Sequence, residues 1–273
     1  MLAHQLDTPI RATWTVNDCS TETLWWPKRC GGEASTGPDM VLMFICVGNP
    51  GVIDYYTQFL STVHELMDYR LDITSLAAQI EHKIACLDRL REMYPENTQF
   101  VLAAHSVGSY IALQVLDARP RHNIAQVICL FPTIQHIRDT PNGHTLHWLW
   151  NDTASSMTCF GIRMLQLLPQ WMRLLMTRIC AGQTAEEAHV TTTKFLSYPC
   201  ICLIGPMARD EMETIKALQT DLIERHLDKL LFYYGASDNW SPISHYKEMA
   251  ALFPEGARIH PFIGCPSRQL INV

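Results

Sequence analysis

The stretch Phe100-Val101-Leu102-Ala103-Ala104-His105-Ser106-Val107-Gly108-Ser109-Tyr110 decides the fold. Its first half is an apolar run of β type; its second half leads into Ile111-Ala112-Leu113-Gln114-Val115-Leu116, rich in helix formers. Between them Ala104-His105-Ser106-Val107-Gly108 makes a small-x-Ser-x-Gly pattern, with Ala at its first small position rather than Gly. The pattern has a physical origin. A strand that turns at once into a helix crowds its own backbone, and small residues two before and two after the apex keep Cβ atoms out of the turn. The apex residue is held in a strained conformation with its side chain exposed, and the next N–H lies at a helix start, aimed at a developing oxyanion. On this reading Ser106 is a nucleophile and Val107 an oxyanion donor. The plainer alternative is a buried Ser that closes a strand and does no chemistry.

Outward from this turn, Val41-Leu42-Met43-Phe44-Ile45-Cys46-Val47 and Ala125-Gln126-Val127-Ile128-Cys129-Leu130-Phe131 have the apolar character of strands buried on both faces of a parallel sheet. Leu230-Leu231-Phe232-Tyr233-Tyr234 is a late strand of the same kind. Leu76 to Tyr94 is a helix with Ile80, Ile84, Leu87, Leu90 and Met93 in one stripe, broken by Pro95-Glu96-Asn97. Strand, helix, strand, helix, strand indicates an α/β fold with a predominantly parallel sheet. Residues 10–28 suggest a β-hairpin at the sheet edge, Pro141-Asn142-Gly143 a turn, and Asp210 to His226 one helix. Pro199-Cys200-Ile201-Cys202-Leu203-Ile204-Gly205 is ambiguous between strand and loop. Helix is again expected from about Ile243 to Leu252.

The first strand ends in Gly48-Asn49-Pro50-Gly51. This loop lacks the Lys of a P-loop and the spacing of a dinucleotide fingerprint. In a serine hydrolase it supplies the second oxyanion N–H; Pro50 has none, which leaves Asn49 or Gly51. A tight turn without function is the alternative. Asp238 follows the late strand, with Pro242 opening the next helix. That is a place for a carboxylate that orients a catalytic base, and equally for a turn or capping Asp.

Length and composition bound the remaining choices. A chain of 273 residues, 48% hydrophobic and 18% charged, is a globular α/β protein, read here as a single domain over residues 1–273 with a helical insertion at about 133–195. The net charge of -6 argues against a nucleic-acid partner. Ten cysteines are scattered with no Cys-x-x-Cys pair, so no metal or other cofactor is signalled and a reducing compartment is expected. No signal peptide or membrane-spanning run is evident.

Residues 157–180 stand apart. Met157, Phe160, Met164, Leu165, Leu167 and Leu168 precede Pro169, and Trp171, Met172, Leu174, Leu175, Met176 and Ile179 follow it. Arg163, Arg173 and Arg178 give the segment a net +3. Two short amphipathic helices hinged at Pro169 suit a lid or a monotopic contact with a membrane or lipid droplet surface, through Leu168, Trp171, Leu174 and Leu175. A packed helical cap that touches no lipid is the alternative.

The chain resembles the lipid droplet-associated hydrolases of the α/β-hydrolase superfamily. The resemblance rests on Gly48-Asn49-Pro50-Gly51 with Tyr56, His105-Ser106-Val107-Gly108-Ser109-Tyr110, Leu130-Phe131-Pro132-Thr133-Ile134 and Pro141-Asn142-Gly143. Phe232-Tyr233-Tyr234-Gly235, Asp238, Trp240, Pro242 and Phe253-Pro254-Glu255-Gly256 complete it. It implies an α/β-hydrolase fold with a helical cap after residue 131. It also implies a serine esterase acting on lipid esters, a sterol ester or an acylglycerol, at lipid droplets and the cytosolic face of the endoplasmic reticulum. Ser106 would be its nucleophile and Asp238 its acid. The family's base follows the last strand in a Pro-His-Ala-Phe-like segment, before a closing helix. Here Gly264-Cys265-Pro266 runs into Ser267-Arg268-Gln269, and neither the His nor the helix has a counterpart. His260 is the candidate substitute base, and a catalytically weak lipid-droplet-binding protein on the same scaffold is the rival reading.

Overall fold

The computed structural model describes residues 10–16, 19–25, 40–46, 76–147, 152–182, 184–196, 198–254 and 259–262. Strands β1 (Ile10–Val16) and β2 (Cys19–Trp25) form an antiparallel hairpin, and β3 is Met40–Cys46. Helix α1 (Leu76–Met93), β4 (Gln99–His105), α2 (Val107–Ala118) and β5 (Ile124–Leu130) follow. A 3₁₀ turn at Ile137–Asp139 opens a long helical excursion of α3 (Pro141–Leu146), α4 (Asp152–Leu165), α5 (Gln170–Ala181), α6 (Ala185–Val190), a π turn at Thr191–Phe195, α7 (Tyr198–Thr214) and α8 (Thr220–His226). The chain returns through β6 (Leu230–Gly235), α9 (Ile243–Leu252) and β7 (Ile259–Phe262).

The main sheet has five strands in the order β3-β4-β5-β6-β7, every neighbouring pair parallel. One row of its register reads Cys46, His105, Leu130, Tyr233, His260 across all five strands. Parallel neighbours need crossovers on the sheet faces, so both faces are covered and the strands can be apolar throughout. Phe100, Leu102, Phe232 and Tyr234 from the strands pack against Ile111, Leu113 and Leu116 of α2, all fully buried. At the far end of α2, Arg119 donates two 2.7 Å bonds to the Asp88 carboxylate, tying α2 to α1 and holding that carboxyl below its usual range.

Several local expectations are corrected. The hairpin is a two-stranded sheet of its own, not an edge of the main one; Val16 and Trp14 join the core beside α1. Pro141-Asn142-Gly143 is the first turn of α3, because Thr140 caps it: its Oγ1 accepts from the Gly143 N–H at 3.1 Å, and Pro141 needs no acceptor at that position. The ambiguous segment at 199–205 is helical, lying within α7 with Pro206 inside the helix. The expected helix from Asp210 to His226 is broken between Thr214 and Thr220. The excursion therefore extends well past residue 195, as far as α8. The Gly48–Gly51 loop lies outside the described residues.

Candidate active site

In a parallel sheet all carboxyl ends lie along one edge, and ligands bind beyond it. Ser106 follows β4 at that edge, and Asp238 follows β6 two strands away, roughly 10 Å across the sheet by strand spacing. The loop Phe131-Pro132-Thr133 leaves β5 between them.

Ser106 has φ 55° and ψ −127°, a left-handed conformation that costs a residue with a Cβ on the order of 1–3 kcal/mol. Its backbone is pinned on both sides. The Ser106 N–H donates to the Leu130 carbonyl at 2.9 Å, extending the β4–β5 ladder by one residue. The Ser106 carbonyl accepts from the Ser109 N–H at 3.0 Å and the Thr133 N–H at 3.3 Å. Ala104 is fully buried beneath the turn. Val107 is the first residue of α2, where N–H groups have no intrahelical acceptor. The strand, the sharp turn and the helix all fall at the residues read from sequence.

Asp238 is buried, with 6% of its surface exposed. Its Oδ1 accepts from the Trp240 N–H at 2.7 Å and the Ser241 N–H at 2.9 Å. This is the turn-making role of an Asp, yet it occupies one oxygen only, and no described residue donates to Oδ2. Ser241 is fully buried and its Oγ donates to the Pro132 carbonyl at 2.8 Å, fastening the Asp238 loop to the loop beside Ser106.

His105 sits next to the elbow in sequence and within electrostatic reach of Asp238 in space. Its ring stands edge-on to Phe131 at 5.9 Å. Burial drives its pKa down to about 4 despite the opposing pull of Asp238, so the ring is neutral near pH 7. His260 is the second residue of β7, in register with Tyr233 and three strands from β4, roughly 14 Å away by strand spacing. His226 bonds Asp117 at 3.0 Å near the opposite end of α2, and His245 faces the His136 ring at 6.5 Å. Asn49 and Gly51 lie outside the described residues. Among the described residues no cluster of His, Cys, Asp or Glu could hold a metal ion.

The cap carries the surface feature. Met157, Phe160 and Met164 on α4, Leu167 in the connection, and Trp171, Leu175, Met176 and Ile179 on α5 are all exposed, Leu167 to 75% and Ile179 to 73%. Spacings of three and four residues put them on one face of each helix. Trp171 and Leu175 belong to this open face, whereas Leu168 and Leu174 are half-buried. No helix among the described residues is long and apolar enough to cross a membrane. The sequence pattern missed Thr133 as a site residue, although Phe131-Pro132-Thr133-Ile134 stood out as a motif; its hydroxyl lies 3.4 Å from Ser106 Oγ.

Comparison with known proteins places this geometry. A serine hydrolase from Cycloclasticus zankles superposes with a TM-score of 0.58 at 12% identity, covering 97% of this chain and 93% of that one. A meta-cleavage product hydrolase gives 0.57 at 15%, covering 95% and 92%. These likenesses establish the α/β-hydrolase fold with a helical cap after residue 131. Among curated proteins, the lipid droplet-associated hydrolase of Drosophila melanogaster is 28% identical over 275 residues, covering 88% of this chain and 86% of that protein. The Homo sapiens protein of the same name is 28% identical over 248 residues, covering 79% and 75%. The family model described as lipid-droplet associated hydrolase matches residues 68–264, a span that takes in the elbow, the whole cap and Asp238. The chain belongs to the lipid droplet-associated hydrolase family.

Proposed function

We propose that this chain is a serine carboxylic-ester hydrolase that takes lipid esters, a sterol ester or an acylglycerol, from the surface of a lipid droplet or the cytosolic face of the endoplasmic reticulum. Ser106 attacks the ester carbonyl, a His base accepts its proton, and Asp238 holds that His in the right tautomer. The N–H of Val107 and one from Asn49 or Gly51 stabilise the oxyanion. The alcohol leaves with the proton, and water then releases the acid from Ser106. The observation that carries this reading is the Ser106 backbone at φ 55°, ψ −127° on a strand-to-helix turn. Oδ2 of Asp238, to which none of the described residues donates, supports the role of the acid. The exposed Trp171 and Leu175 face supports a monotopic lipid contact.

A second reading keeps the lipid contact and gives up the chemistry: a lipid-droplet-binding protein on a hydrolase scaffold. It is favoured by the position of His260, on the register row of His105 rather than beyond the strand end. Turnover of p-nitrophenyl butyrate by the purified chain, beside Ser106→Ala and His260→Ala, decides between them. The hydrolase reading expects loss of at least about 10³-fold in Ser106→Ala, and a parent no faster than Ser106→Ala establishes the second reading. An equal loss in His260→Ala would make His260 the base.

A further inference from the structure

Thr133 is a buried polar residue at the site to which the mechanism above gives no work. It is 3% exposed, and its hydroxyl has one hydrogen-bond partner among the described residues, Ser106 Oγ at 3.4 Å. Its own N–H holds the Ser106 carbonyl at 3.3 Å. A hydroxyl taken out of water without a partner is costly, and a β-branched side chain has few rotamers in which to look for another. Either hydroxyl can donate across this contact, and once the Ser106 proton turns towards a base the Thr133 hydroxyl becomes the donor to Ser106 Oγ. That direction matters. It occupies a lone pair of the Ser106 oxygen, restricts its χ1, and leaves the Ser106 proton free to point at a base.

We infer that Thr133 is a positioning residue for the nucleophile, and that it acts on the chemical step rather than on substrate binding; the inference rests on the serine-hydrolase reading above. A bond of 3.4 Å is long at rest. It shortens as Ser106 gives up its proton, because a hydroxyl donor binds a developing alkoxide more strongly than a neutral oxygen. The support behind it is rigid. Phe131 donates its N–H to the Tyr233 carbonyl at 2.8 Å, and the Pro132 carbonyl accepts from Ser241, whose N–H holds Asp238. Residues 131–133 thus link the nucleophile to the acid through two bonded loops.

The test measures labelling of Ser106 by a fluorophosphonate probe, together with kcat and KM on p-nitrophenyl butyrate. The proteins are the full chain and Thr133→Val, Thr133→Ala and Thr133→Ser, each checked by melting midpoint. Removing the hydroxyl is expected to lower the labelling rate and kcat about tenfold with KM within about twofold, the scale of one hydrogen bond. Thr133→Ser should recover to within about twofold. If Thr133→Val does not fold, Thr133→Ala carries the same comparison. Hydroxyl-free variants that label and turn over at the parental rate overturn the inference, as does Thr133→Ser falling as far as Thr133→Val. A parent that neither labels nor exceeds Ser106→Ala is a failure of the serine-hydrolase reading itself, and this inference falls with it.

Discussion

A methyl group at Gly235 has nowhere to go. A Cβ there would meet Phe131 Cε1 at 2.6 Å and Cδ1 at 2.9 Å. Phe131 cannot simply swing aside: its backbone is at φ 48°, its N–H is bonded to Tyr233, and its ring packs on His105. Gly235→Ala must therefore push on the segment that carries Thr133. We expect a loss of stability of about 1–3 kcal/mol from overpacking, read as a lower melting midpoint, and, on the proposed serine-hydrolase reading, a larger relative loss of p-nitrophenyl butyrate turnover than of folded protein. Retention of both would show that Phe131 moves freely. At this scale the sequence was a good guide to the strained turn at Ser106 and a poor one to its contact with Thr133. The strain at Ser106 is written into its immediate neighbours, since Ala104 and Gly108 flank it. The Thr133 contact joins residues 27 apart and exists only because β4 and β5 lie side by side.

The paired helices α4 and α5 are the element most exposed to a decisive experiment. Their open face holds Phe160, Trp171, Leu175 and Ile179 in water, where a replacement by Asp costs the folded protein little. If this face enters lipid, each large side chain contributes on the order of 1.5–3 kcal/mol of burial to binding. Trp171→Asp, Leu175→Asp and Ile179→Asp combined should lower co-flotation with phospholipid-coated triolein droplets more than tenfold, at an unchanged melting midpoint. Undiminished co-flotation would exclude this face. The hinge at Pro169 and the apolar content of both helices were legible because amphipathic helices advertise themselves by period. The face itself was legible only in part: Leu174 and Leu168 share the apolar content but are half-buried, and only packing separates them from Trp171 and Leu175. Helix α7 was illegible for a related reason. Its Pro199 to Gly205 run has the composition of a buried strand, and tertiary packing overrides that local preference, even with Pro206 inside the helix.

At the scale of the whole molecule, three titratable groups among the described residues have large shifts inside the range of pH 4 to 8 and set opposing demands on pH. His82 and His105 are both pulled from 6.5 to about 4, first by burial, with Lys83 adding to the shift of His82. The unfolded chain therefore binds their protons first, and stability is lost as pH falls from 6.5 towards 4. Glu211 on α7 is pushed the other way, from 4.5 to about 8, by burial and then by Asp210 beside it. Its Oε1 has no hydrogen-bond partner among the described residues, so the fold keeps it protonated. That contribution is complete below 4.5 and is lost as pH rises towards 8. Between 4.5 and 6.5 these two imidazoles, joined by His245, which burial shifts in the same direction, oppose the one carboxyl and stability rises with pH; above 6.5 Glu211 is the strongly shifted group still titrating among the described residues and stability falls. Each group contributes a slope of about 1.4 kcal/mol per pH unit inside its window. The melting midpoint of the parent should therefore pass through a maximum near about pH 6.5 and decline by pH 8. Glu211→Gln removes the titrating carboxyl at nearly constant shape, so its midpoint should stay level between pH 6.5 and 8 while the parent's falls. A parent midpoint that keeps rising to pH 8, or a Glu211→Gln profile parallel to it, would show that Glu211 is ionised in the fold.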